Sequence, residues 1–106
     1  MTRLEYQAYS KLAIRTMAQI VEDAREAVIS THQLPHQIAC VIHHRLGTVP
    51  VGEPSIVIAV SSPHRKEAFV ACERILEDVK DKAQIWKREH YEGAAEEEAE
   101  WKANKA

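Results

Sequence analysis

The chain has 106 residues, 45% of them hydrophobic, with 14 basic against 16 acidic side chains and a formal charge of −2. That is enough for one domain with a modest core, and it gives no overall electrostatic case for nucleic acid or an acidic membrane surface. No apolar run is long enough to span a bilayer, and the opening MTRLEYQAYS lacks the apolar core of a secretion signal, so an intracellular, cytoplasmic protein is expected.

RLEYQAY, residues 3–9, alternates as a short strand does. The chain enters it almost at once, which leaves room for an upstream partner strand. KLAIRTMAQIVEDAREAVIS then carries Ile14, Met17, Val21, Ala24 and Val28 along one helical face, with Ala13, Ile20 and Ala27 beside them. THQLPH breaks that helix, since Pro35 cannot continue it. QIACVIHHRLG reads as a strand and TVPVGEP as a turn-rich connection. SIVIAVSS is a continuous apolar run, which predicts a central strand covered on both faces. In SSPHRKEAF, Ser62 is placed to cap a helix and Pro63 to occupy its first position. The inner face of that helix is expected at Ala68, Cys72, Ile75 and Val79, with Phe69 and Leu76 alongside and an end near Lys80 to Lys82. QIWKREHYE reads as a last strand, and GAAEEEAEWKANKA as a charged, partly helical tail. The order predicts an α+β fold with helices packed on a sheet. Cys40 and Cys72 sit in apolar runs and read as reduced core residues.

Three groups of residues invite chemistry. His64, Arg65 and Lys66 gather positive charge where a helix start already presents free N–H donors. Either they point into solvent, or they form an anion site in which the Arg65 guanidinium grips phosphate or carboxylate. His43, His44 and Arg45 end a strand, with no carboxylate or cysteine at metal-ligand spacing. They read as polar side chains at a strand end, one of them bonded to the loop GTVPVGE. Lys80 sits beside the apolar stripe of the second helix, and Lys87 follows Ile85 and Trp86. Such lysines either snorkel or project into a pocket, where partial burial would suit them to proton donation or nucleophilic attack. The Glu96–Glu100 stretch EEEAE reads as solvated, and no Gly-rich phosphate loop, nucleophile elbow, CxxC pair or HExxH occurs.

LEYQAY at 4–9, HRLGTVPVGEPSIVIAVSSPHRKEAF at 44–69 and LEDVKDKAQIWKRE at 76–89 together resemble the large, catalytic subunit of molybdopterin synthase. The resemblance implies an α/β hammerhead-type domain, with a mixed or antiparallel sheet and two main helices, over residues 1–93, followed by a charged tail at 94–106. It implies sulfur transfer from the C-terminal Gly-Gly thiocarboxylate of a small ubiquitin-like subunit to cyclic pyranopterin monophosphate, giving the molybdopterin dithiolene. It also implies a heterotetramer built on a homodimer of large subunits. By resemblance Lys80 and Lys87 are the catalytic lysines, His64 and Arg65, with Lys66, hold the phosphate or carboxylate, and His44 and Arg45 support the pocket. If the lysines reach one pocket with His64 and Arg65, four potentially cationic groups crowd together. No metal or organic cofactor, nucleic acid or membrane is called for.

The chain departs from the family in two ways. Members carry a further strand-and-loop segment ahead of LEYQAY, holding a pocket arginine that Arg3 does not match, and Gln84 stands where a proline is usual. The alternative expectation is therefore a truncated, non-catalytic binding form of the same subunit. An RNA-binding role lacks the interleaved aromatics that base stacking needs.

Overall fold

The computed structural model describes residues 1–32, 38–95 and 99–104. Strand β1 (Arg3–Ala8) leads into helix α1 (Ser10–His32), then β2 (Ala39–His44), β3 (Gly47–Pro50), β4 (Ile56–Ser61), helix α2 (Arg65–Lys82), β5 (Ile85–His90) and β6 (Trp101–Ala103). The strands make two separate antiparallel sheets, one of four strands in the order β3-β1-β5-β6 and one formed by β2 and β4. The fold class is α+β, as the sequence predicts.

The two helices tie the sheets together. Tyr6, Ala13, Val49 and Ile85 form a core between the four-stranded sheet and the first turns of α1. Further along, Ile20 and Ala24 of α1 meet Ile75 and Val79 of α2 over the inner face of the β2–β4 sheet, and Val28, Ile38 and Ala71 close the far end. The pairing of early α1 with late α2 makes the helices antiparallel. Ala24 and Ala71 have no exposed surface, so small side chains let the two backbones approach. The radius of gyration, 15.9 Å, exceeds the roughly 13 Å of a compact chain of this size, and the long axis reaches 53 Å. No helix among the described residues is long and apolar enough to cross a membrane.

Several expectations change. TVPVGEP is not all turn: Gly47–Pro50 pairs with β1, and the turn is confined to the following residues. There Glu53 N–H donates to Pro50 O at 3.2 Å, and Gly52, at φ +87°, fills the third turn position, where a side chain would be strained. β1 is an interior strand, flanked by β3 and β5. β4 is half-covered rather than buried on both faces; Ile56, Ile58 and Val60 turn to the helices while Val57 and Ala59 face outward. Residues 101–103 of the tail are a strand on β5, not helix, because β5 offers an open edge that completes their backbone hydrogen bonds. The break at THQLPH falls largely on residues 33–37, and the acidic run on 96–98, outside the described residues.

Both helices are rotated relative to the apolar pattern. The buried line of α1 runs through Ala13, Ile20, Ala24 and Val28, leaving Ile14 63% exposed. That of α2 runs through Glu67, Ala71, Ile75 and Val79, leaving Phe69 72% exposed. The contacting helix sets which face closes, and side chains at i and i+4 meet it squarely.

Candidate active site

The start of α2 differs from its predicted form. The helix begins at Arg65, and His64 is the N-cap, with extended backbone and no side-chain capping bond. Ser62 instead donates its hydroxyl to the His64 carbonyl. Pro63 therefore precedes the cap rather than filling the first helical position. The first turn holds Glu67 as well as Arg65 and Lys66, so one carboxylate does oppose the local positive field. His64, Arg65 and Lys66 are all exposed.

The lysines lie at the other end of the same helix. Lys80 is half-buried in the last turn of α2. The link to β5 is short and pinned: Gln84 O accepts from Tyr9 N–H at 3.1 Å, and Gln84 Oε1 accepts from the Thr16 hydroxyl at 2.8 Å. A proline here would lack the side-chain amide that Thr16 uses. β5 then runs across the sheet with Ile85, Lys87 and Glu89 on its helix-facing side and Trp86, Arg88 and His90 on the other. Lys87 pairs in register with Tyr6 of β1 and Lys102 of β6. Its Nζ lies 3.8 Å from Glu89 Oε1, and the side chain is 21% exposed.

The chain thus carries two cationic groups rather than one. Arg65 and Lys80 are fifteen residues apart on a continuous helix, a separation of about 22 Å along its axis. A side chain cannot span that, so a single copy does not gather His64, Arg65, Lys80 and Lys87 into one pocket.

His44 sits nearer the lysine end. Its ring meets Tyr6 edge-on at 4.8 Å. Nδ1 lies 2.7 Å from the Arg45 carbonyl, which can only accept, so Nδ1 carries the proton; Nε2, 3.2 Å away, then accepts from Asn104 Nδ2. Burial pushes the His44 pKa down, against a smaller upward pull from the Arg45 carbonyl. Arg45 turns outward and bonds Glu53 at 3.0 Å, fastening the strand end to the VGE loop as the strand-end reading expected. His44 also borders a small apolar cavity of about 160 Å³ with Ala8, Ala13, Ile14, Leu46 and Ile85.

Other polar groups escape a local reading. On the outer face of the four-stranded sheet, Glu5 Oε1 accepts from Arg88 at 2.9 Å and from His90 at 2.5 Å. Arg88, chiefly by this bond, holds the Glu5 carboxyl below its ordinary value, and its guanidinium lies over the Trp101 ring at 4.8 Å. Period-2 alternation along IWKRE places Glu89 beside Lys87, a signal the sequence does carry. Asn104, 60 residues from its partner His44, has no such local signal.

Comparison with known proteins decides the family. The MoaE protein family model matches residues 1–82. The chain belongs to the MoaE family. It is 47% identical over 103 residues to a molybdopterin synthase catalytic subunit of Aspergillus niger, covering 97% of this chain and 52% of that protein. It is 46% identical to a molybdopterin synthase catalytic subunit 2 of Aedes aegypti, covering 96% of this chain and 61% of that one. The chain therefore spans half to three-fifths of these relatives. A crystal structure of molybdopterin synthase from Staphylococcus aureus superposes with a TM-score of 0.79 at 35% identity, covering 95% of this chain and 66% of its counterpart. The solved structure shares the antiparallel α+β arrangement; the family match includes Lys80, in EDVK, and the alignment to the Aspergillus niger subunit extends over Lys87, in IWKRE.

Proposed function

We propose that this MoaE chain performs the sulfur-transfer step of molybdopterin synthase, moving sulfur from a thiocarboxylated carrier subunit to a cyclic pyranopterin monophosphate. The observation that carries the reading is the pair Lys80 and Lys87, on either side of a pinned two-residue link, in a chain nearly half identical to named catalytic subunits. The carrier's sulfur supplies the nucleophile. What the protein must add is positive charge fixed where negative charge develops, and protons within reach. A partly buried ammonium such as Lys87 does this better than an exposed one, because water screens it less.

Arg65, with His64 and Lys66, would hold a phosphate or carboxylate through the guanidinium fork and the free N–H groups of the α2 start. The axial separation of about 22 Å means that this group serves the lysines only from a second copy. Support for a dimer comes from apolar surface this chain leaves open: Val41 and Val57 on the outer face of the β2–β4 sheet, and Phe69 and Val70 on α2. The reading therefore comprises a homodimer of large subunits, each accepting the flexible tail of a ubiquitin-like carrier, in the cytosol.

Complementation tests it. Arg65→Ala and Lys87→Ala chains, each inactive alone, should regain part of the wild-type transfer when mixed, because a mixed dimer contains one intact composite site. Failure to regain any activity in mixtures that demonstrably dimerise would refute the shared site.

A further inference from the structure

Alternation along β5 puts Glu89 on the same face as Lys87, two residues on. The two side chains are 21% and 23% exposed, with Nζ and Oε1 3.8 Å apart. The other carboxylate oxygen of Glu89, Oε2, accepts from the Tyr91 hydroxyl. In β6, Lys102 stands directly opposite Lys87. Two ammonium groups facing each other across neighbouring strands repel. Glu89 answers both: the Tyr91 hydrogen bond, followed by the charges of Lys102 and Lys87, holds its carboxyl below the ordinary value against the opposing effect of burial. Glu89, Tyr91 and Lys102 also line one cavity, of about 290 Å³.

We propose that Glu89, held in place by Tyr91, is the positioning residue for Lys87. It fixes the ammonium on the helix-facing side of β5 and offsets Lys102, so that Lys87 is presented as one directed cation. An incoming anion can then draw Lys87 away from Glu89 without leaving the carboxylate stranded, because the Tyr91 hydroxyl still donates to it and the Lys102 charge still favours it. The functional half of this inference rests on the reading of Lys87 as a catalytic group; the structural half does not.

The experiment has two readouts on the full chain. The first is acylation of lysine amines by a water-soluble N-hydroxysuccinimide acetate, resolved peptide by peptide by mass spectrometry, with Lys82 as internal reference. Glu89→Gln should raise the labelling of Lys87 relative to Lys82 at least threefold, and Tyr91→Phe, which removes one exposed hydroxyl and cannot unfold the chain, should raise it less. The second is single-turnover sulfur transfer, where Glu89→Gln should lower the maximal rate about tenfold with the half-saturating precursor concentration within twofold, and Glu89→Asp should recover part of the loss. Unchanged Lys87 labelling in both variants overturns the positioning contact. Altered labelling with full transfer by Glu89→Gln, while Lys87→Ala is inactive, overturns its bearing on the reaction. Altered labelling with Lys87→Ala fully active supports the contact and refutes instead the catalytic reading of Lys87.

Discussion

Replacing Lys87 with alanine separates a catalytic lysine from a structural one, and Lys82 supplies a matched control. Lys87 lies 3.8 Å from Glu89, and Lys82 lies 3.8 Å from Asp78. An ion pair of that length between partly exposed groups is worth at most about 1 kcal/mol once screening and desolvation are counted. Each substitution should therefore cost the fold about 1 kcal/mol or less, and the two urea midpoints should nearly coincide. Transfer should not behave alike. Removing a fixed charge that meets developing negative charge costs about a hundred- to a thousandfold in rate, or about 2.7–4 kcal/mol. The Lys82 side chain is 56% exposed, so its removal should leave the rate within about twofold. Lys80→Ala should resemble Lys87→Ala. The assay is single-turnover conversion of the pterin precursor with a thiocarboxylated carrier, alongside urea unfolding of each variant. Equal losses for Lys82→Ala and Lys87→Ala, or a Lys87→Ala enzyme within tenfold of the parent, would refute the reasoning.

Three further outcomes are expected. Ile75 is fully buried between the helices, so Ile75→Ala should destabilise the chain by about 3–4 kcal/mol, seen as a lower urea midpoint at unchanged slope. His44 has a depressed pKa, so the unfolded chain binds its proton more readily than the folded one; stability should fall as pH drops through the ordinary histidine value of 6.5, and His44→Gln should flatten that part of the melting-temperature profile between pH 7 and 5. Arg65→Ala should weaken phosphate-bearing precursor in calorimetric titration more than Lys66→Ala, because only arginine offers a two-pronged donor; equal, negligible effects would leave both as solvated charges.

What the chain determines locally is legible because it needs only neighbours in sequence. The alternation of RLEYQA and IWKREH and the helical spacing from Met17 to Val28 and from Ile75 to Val79 specify β1, β5, α1 and α2. The residue types at His64–Lys66, Lys80 and Lys87 mark where cations concentrate, and the motifs around them carry the family resemblance. What the tertiary structure decides is which surfaces meet. Gly47–Pro50 and Trp101–Ala103 are too short to declare themselves as strands; they form because β1 and β5 present unfilled edges. Ile14 and Phe69 belong to apolar stripes yet face outward, because each helix turns the side that fits its partner helix rather than its most apolar one. Glu5 finds Arg88 and His44 finds Asn104 across 83 and 60 residues, distances over which no periodicity carries information. The same logic separates the His64–Lys66 cations from the lysines: both are plain in the sequence, but an α-helix of 18 residues holds them at opposite ends, since each residue advances its axis by a fixed rise that no side chain can bridge.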